Sequence, residues 1–251
     1  VKIVPQSAVL ESITVNGDQL IERAGRTCYQ STWKMLPGGE SAAKFIEMIW
    51  KRGHHSVIEH GYATIRFVCD RGVSHEAVRH RIAAFSQEST RFCNYLKEQF
   101  GGEITVIEPP FVDPRSRALW VEVVEHIERA YMTMTGEYKE KAEIARSILP
   151  NCLKTEIVMS ADFREWLHFL HLRNAPGKAH PQMVEVAAIA EKLLVEACPA
   201  VFSLAARRRK IESTTARILD LVGLVVGQAR GGFTPALEDL TRTYDEYMEA
   251  Q

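Results

Sequence analysis

The sequence predicts a mixed α/β fold whose strands are of the half-buried, antiparallel kind. Two stretches carry the sheet. From Tyr62 to Cys69 the side chains alternate, with Ala63, Ile65, Phe67 and Cys69 on one face and Tyr62, Thr64, Arg66 and Val68 on the other. Leu153 to Ala161 repeats the pattern, setting Leu153, Thr155, Ile157, Met159 and Ala161 against Lys154, Glu156, Val158 and Ser160. A strand with one apolar and one mixed face suits a sheet covered on one side. The helical part is announced by Ala42, Phe45, Ile46 and Ile49, which follow the i, i+3, i+4, i+7 stripe of a helix packed along one side.

In chain order, Val1–Val4 and Val9–Val15 are apolar runs that suit strands. Asp18 is placed to cap a helix over Gln19 to Cys28, with Leu20, Ile21 and Ala24 on one side. Ser31–Gly39, containing Pro37-Gly38-Gly39, reads as a loop, and Ser41 opens the striped helix that Gly53 stops. His54 to His60 follows as a polar loop, and Asp70-Arg71-Gly72 ends the first alternating strand. Ser74 to Arg81 reads as a short helix with Ser74 as N-cap, and a loop then runs to Tyr95. A further strand, Glu103 to Ile107, closes at Pro109-Pro110. Asp113-Pro114 is a cap and first-turn pair for a long helix through Trp120, Val123, Val124, Ile127 and Tyr131 towards Gly136. A second helical piece reaches Leu149 before Pro150. After the second alternating strand, Asp162 with Glu165 three residues on forms a capping-box pattern. Arg164, His168 and His171 then share a helix face that ends near Arg173. Ala175-Pro176-Gly177 is a break, and Pro181-Gln182-Met183 starts a helix lined by Val184, Val186, Ala187 and Leu194 to Cys198. Arg207-Arg208-Arg209-Lys210 reads as a solvated basic run near a helix end. Leu219 to Val226 is apolar enough for an additional helix, at a subunit contact or under the core.

The chain of 251 residues is long enough to bury a substantial core, and its composition, 46% hydrophobic and 25% charged, is that of a globular protein. A formal net charge of −1 argues against a general nucleic-acid coat or a polybasic membrane binder, so an anion site has to be made locally. The five cysteines are scattered and never paired as C-x-x-C, which fits free thiols in a reducing cytoplasm. No signal-peptide pattern opens the sequence and no apolar run is long enough to span a bilayer, so a cytoplasmic location is expected.

The densest chemistry lies in Arg79-His80-Arg81 and the polar run Ser86-Gln87-Glu88-Ser89 up to Arg91. On a helix, three neighbouring cations point about a third of a turn apart and cannot share one solvated face. They suit a large anion wrapping the helix end, or two ligands meeting there, because a guanidinium matches phosphates and heterocycle edges. The alternative is a charged helix end followed by a polar loop. His54, His55, Glu59 and His60 admit a metal reading too, but the spacing is not that of a zinc helix and no cysteine supports it.

R-H-R, seven residues, then serine, here Arg79-His80-Arg81 to Ser89, resembles the signature of the flavin-dependent thymidylate synthases, and Arg91 two residues later fits the same pattern. His54-His55-Ser56-Val57-Ile58-Glu59-His60 resembles the family's G-H-x-[ST]-x-x-E-H element, and Ala145-Arg146 to Leu149-Pro150 its A-R-x-x-L-P arginine. The matches span roughly residues 15–205. The resemblance implies an α+β arrangement, with a mainly antiparallel sheet beside a helical part over 1–210, and 211–251 as a C-terminal helical extension of the same domain. It implies FAD as cofactor, with His54, Ser56, Glu59, Arg79, His80, Arg81, Gln87, Asp162, Arg164 and His168 at the flavin, and no metal. Deoxyuridine monophosphate would meet Glu76, Arg79, Gln87, Ser89, Arg91, Arg146 and Arg173, the last at the pyrimidine ring as the catalytic residue. Methylenetetrahydrofolate would supply the carbon and NADPH the reducing equivalents, without a cysteine nucleophile, in a homotetramer with active sites at subunit interfaces. Three positions depart from common forms of the family: Glu76 for a glutamine, Phe92 for a tyrosine and Asp162 for an asparagine. A histidine-based metal hydrolase, a nucleic-acid-binding module using Arg79–Arg91 with Arg207–Lys210, and an assembly protein with no site are the rival classes. The first two leave the signature loop or the balanced charge unexplained.

Overall fold

The computed structural model describes residues 1–227 and the isolated positions Asp239, Arg242 and Thr243. Strands β1 (Lys2–Val4) and β2 (Ser7–Ile13) lead into α1 (Gly17–Thr27) and α2 (Ala42–Lys51). Asn16 in the left-handed region, not Asp18, stands at the N-cap of α1; Asp18 lies inside the first turn and accepts from the Cys198 thiol instead. The segment between α1 and α2 contains two 3-10 turns, Thr32–Lys34 and Pro37–Gly39, where a plain loop was expected. Its far end is held by Ser41, whose hydroxyl donates to Glu22 and accepts from the Leu36 amide, while the buried Glu22 also pairs with Arg26. Ala42, Phe45, Ile46 and Ile49 are all buried, as the stripe requires.

A 3-10 turn, His55–His60, leads into β3 (Tyr62–Asp70), which pairs antiparallel with β2 on one side. Helix α3 (Arg71–Ala77) starts earlier than the sequence suggests. Asp70 caps it by accepting from the Val73 amide at 2.6 Å, and Ser74 is a buried interior residue whose hydroxyl donates back to the Arg71 carbonyl. An aspartate at the strand end outcompetes the serine because its carboxylate accepts more strongly from orphan amides. Arg79, His80 and Arg81 therefore lie in the turn beyond the helix rather than on it. The polar run that follows is not all loop: β4 (Ala84–Gln87) forms the other edge of the sheet. Strand β5 (Thr105–Ile107) pairs in parallel with β1 in a separate two-stranded sheet. Next come α4 (Pro114–Gly136), capped by Asp113, and the short α5 (Ala142–Ala145), continued by the 3-10 turn Arg146–Ile148.

Strand β6 (Lys154–Asp162) completes the main sheet in the order β2-β3-β6-β4, all antiparallel. It is followed by α6 (Phe163–Arg173), α7 (Pro181–Ala197) and α8 (Pro199–Gly227). Asp162 accepts from the Glu165 amide at 2.9 Å, but Glu165 does not reciprocate, so only half of a capping box forms. Ala63, Ile65, Phe67, Cys69, Ile157, Met159 and Ala161 pack in one core with residues of α2, α6, α7 and α8. A smaller core gathers Tyr95, Ile104, Val106, Val124, Tyr131, Ala145 and Leu153 around β5, α4 and α5. The basic run 207–210 lies well inside α8 rather than near a helix end, with Arg207 and Lys210 exposed. Helix α8 also passes position 210 without a break; most of 228–251 lies outside the described residues.

The join between the 3-10 turn and α6 is the tightest contact of the fold that bears on function. Gly61 accepts from the Phe163 amide at 2.8 Å, and a Cβ on Gly61 would collide with the Phe163 ring. That ring is fully buried, edge-on to Phe202 at 5.1 Å, and has nowhere to retreat. Gly61→Ala should therefore cost about 1–3 kcal/mol of stability by overpacking. A urea midpoint unchanged from wild type would show that the ring yields.

Candidate active site

Two helices of different origin meet at the candidate site. Helix α3 contributes Glu76, the turn after it contributes His80, and α6 contributes Glu165, His168 and Arg173. Arg173 donates from Nε to His80 Nε2 at 3.1 Å, from one terminal nitrogen to Glu76 Oε2 at 2.9 Å, and from the other to the Glu76 carbonyl at 3.1 Å. His80 Nδ1 lies 2.9 Å from Glu165 Oε1. The direction of these bonds is forced. Arginine has no acceptor, so His80 Nε2 accepts, and the ring proton resides on Nδ1 and is donated to Glu165. A neutral ring fits its surroundings: burial pushes the His80 pKa below its usual range, and Arg173 adds to that against the opposing pull of Glu165. His80 is 5% exposed and packs against Phe169, with His168 at 5.5 Å between ring centres.

This arrangement alters the expectation for His80 at a flavin. Both ring nitrogens are spent on protein partners, so in this arrangement the ring offers no donor to a ligand. Its neighbours differ. Arg79 and Arg81 are exposed and have no ion-pair partner among the described residues. Other expected flavin residues pair with one another. Glu59 of the 3-10 turn pairs with Arg164 of α6, which ties a segment exposing His54, Ser56 and Glu59 to the helix face that also exposes His168. Asp162 is occupied as the α6 cap.

The expected nucleotide residues form a second group. Ser89 Oγ accepts from the Arg91 amide at 3.3 Å, and among the described residues no imidazole or amine bonds to it. Arg91 pairs with Glu143 at 3.6 Å, while Arg146, three residues beyond Glu143, is exposed with no ion-pair partner among the described residues. Three residues apart on a helical segment is one face, so Arg146 is on the same side of its segment as the carboxylate that Arg91 reaches from another element. Gln87 donates to the Ser74 hydroxyl at 2.8 Å and to the Thr155 hydroxyl at 3.2 Å, which anchors β4 to α3 and β6. Beside it a cavity of 610 Å³ is lined by Arg66, Glu88, Lys154 and Glu156 among others. Lys154 bonds Glu88 and Glu156 there; burial opposes its charge, yet the two carboxylates hold its pKa above the usual range.

No cysteine offers a poised nucleophile at these groups. All five are free, and burial pushes Cys69 up to about 12 and raises Cys93, Cys152 and Cys198 as well. Among the described residues no three His, Cys, Asp or Glu side chains are grouped to hold a metal ion. No described helix is long and apolar enough to cross a membrane. Sequence reasoning missed Glu165 and Glu143 as members of the two groups. Glu165 looked like a local cap partner, and nothing near it in sequence points to a histidine 85 residues away.

Comparison with known proteins identifies the family and the fold. The family model described as thymidylate synthase complementing protein matches residues 9–200. A flavin-dependent thymidylate synthase of Corynebacterium diphtheriae is 32% identical over 211 residues, covering 77% of this chain and 81% of that protein. Its counterpart from Corynebacterium glutamicum is 34% identical over 217 residues, covering 79% and 84%. Among solved structures, thymidylate synthase X from Helicobacter pylori with FAD and dUMP shares the fold with a TM-score of 0.65 at 22% identity, covering 80% of this chain and 98% of that one.

The neutral His80 has a thermodynamic signature. Its folded pKa is depressed below 6.5, so below that pH the unfolded chain takes up a proton that the native ring refuses. Stability should then fall as the pH drops from 6.5, by at most about 1.4 kcal/mol per pH unit from this group. Urea unfolding of wild type and His80→Gln between pH 7 and pH 5 measures it. The variant should show the shallower pH dependence, and equal slopes would show that the native ring takes up a proton as readily as the unfolded one.

Proposed function

The chain belongs to the flavin-dependent thymidylate synthases, and from that premise we propose that it methylates deoxyuridine monophosphate to thymidylate. In this reading FAD is bound without a covalent link, methylenetetrahydrofolate is the carbon donor and NADPH the reductant. The protein acts as a cytoplasmic homotetramer with active sites at subunit interfaces. When bound, FAD supplies the reducing equivalents. The residues suited to hold it are Arg79, Arg81, Arg164 and His168, with the His54, Ser56 and Glu59 turn. Their fit rests on Arg79 and Arg81 being exposed and without an ion-pair partner among the described residues, and on a turn that Glu59 pins to α6. His80 supports the site from behind, since its ring is buried.

The nucleotide carries a phosphate dianion, for which Arg91, Arg146 and the Ser89 hydroxyl are the natural partners. Ser89 orients and does not attack, because an activated serine needs a neighbouring base. The uracil ring becomes nucleophilic at its 5-carbon when negative charge on the imide edge is stabilised, a task for a preorganised cation. The observation that carries this assignment is the fixing of Arg173. Three of its five N–H groups are used, on His80 and twice on Glu76, which orients the guanidinium and leaves two N–H groups for a ligand. An arginine stays charged, so it stabilises charge but never serves as the base. Glu76 in place of a glutamine makes this anchor ionic, a stronger hold than an amide would give.

Two measurements test the reading. Denaturing the purified, loaded protein should release FAD into the supernatant, and active protein without flavin would refute the cofactor assignment. Arg173→Ala should lose about 10²–10³ in turnover at saturating nucleotide, while flavin content and NADPH-driven flavin reduction stay close to wild type. A helix-end charge alone contributes only a few tenths to ~1 kcal/mol of stability, so near wild-type turnover would reduce Arg173 to that role.

A further inference from the structure

Glu165 occupies an unusual position for a carboxylate. It is 6% exposed, in the first turn of α6, and its side chain turns away from the helix start towards the equally buried His80. On the same helix Arg173 follows eight residues later, about 12 Å further along the axis. The two residues are too far apart to touch, and the His80 ring bridges them, with Nδ1 on Glu165 and Nε2 on Arg173. The ring has two neutral tautomers, and they have opposite consequences. With the proton on Nδ1, Nε2 presents a lone pair to the Arg173 Nε–H. With the proton on Nε2, two N–H groups face each other at 3.1 Å and the guanidinium loses one of its two anchors. An acceptor held 2.9 Å from Nδ1 decides between them.

We propose that Glu165 is a positioning residue for the reaction: its carboxylate keeps the His80 proton on Nδ1, so that Nε2 fixes the Arg173 guanidinium. The proposal rests on the reading of Arg173 given above. It assigns to Glu165 a function that its place as a helix-start residue conceals. The groups facing the ring are Glu165, His168 and Arg173 from α6, with Glu76 acting from α3 through Arg173. None of the others is placed to accept from Nδ1.

A double-mutant cycle on the full-length, FAD-loaded protein separates positioning from mere packing. Glu165→Leu should lower kcat about tenfold or more, with kcat falling further than KM for the nucleotide rises and with flavin content kept. Glu165→Gln retains an acceptor at the same reach and should recover most of the loss. In an Arg173→Ala background Glu165→Leu should have little further effect, because its route to the reaction is already gone. Wild-type kcat in Glu165→Leu, or a loss that adds in full to that of Arg173→Ala, overturns the positioning role while leaving Arg173 in place. Near wild-type turnover in Arg173→Ala removes the Arg173 reading and this proposal with it. Should Glu165→Leu fail to fold, the wild-type protein decides: the imidazole ¹⁵N spectrum of histidine-labelled enzyme should show His80 protonated at Nδ1 and bare at Nε2. The reverse pattern overturns the proposal.

Discussion

The pairing of β3 with β6 governs the rest of the molecule. Its register runs without a shift from Tyr62 opposite Asp162 to Asp70 opposite Lys154. Each strand ends on an aspartate that caps a helix, Asp70 for α3 and Asp162 for α6, at opposite ends of the ladder. Helix α6 starts at one end and covers roughly 16 Å in its eleven residues. That brings Arg173 to the turn that leaves α3 at the other end. The meeting of Glu76, His80 and Arg173 thus follows from strand length, helix length and two caps. The Trp166 indole, buried and donating to the Ala63 carbonyl at 3.0 Å, locks the helix to the strand in that alignment.

Much of this framework was legible in the residues. Strict alternation at 62–69 and 153–161 identified the two central strands because one face of each had to be apolar. The striped helix, the Asp113-Pro114 start and the Asp162 cap were equally direct, since each depends on neighbours a few residues apart. Strand β4 escaped because Ala84–Gln87 is only four residues long and lies at an edge, where pattern is short and polar residues are tolerated. The start of α3 was misplaced for a chemical reason: Asp70 and Ser74 are both plausible caps, and sequence does not say which amides are orphaned.

The site divided along the same line. Arg79, Arg81, Ser89, Arg91, Arg146, Arg164 and Arg173 were visible as residue types in a known pattern. Two of the supporting carboxylates, Glu59 and Glu76, were visible in the same way, and two others were not. Glu165 and Glu143 act across 85 and 52 residues of chain respectively, and such partners are set by tertiary packing alone. His80 is the clearest case of a residue whose identity was legible and whose role was not. Between two arginines in the sequence it reads as a third cation, whereas burial makes it a neutral spacer.

The two groups of candidate ligand residues hang from different hydrophobic cores. Glu59, Arg164 and His168 are exposed on elements packed in the sheet-and-helix core, while Arg146 and the carboxylate that holds Arg91 lie on α5 and its adjoining turn, packed in the smaller one. A bridge between Val106 and Leu153 stitches the smaller core to the foot of β6. The molecule is in this sense a calliper: one jaw is gauged by the rigid sheet, the other by a lobe with far fewer buried side chains. Loosening the minor jaw by trimming Val124 or Tyr131 would change the span between the jaws and leave the sheet-borne jaw intact. The gap between the two ligand groups is therefore a quantity that packing remote from either of them can tune.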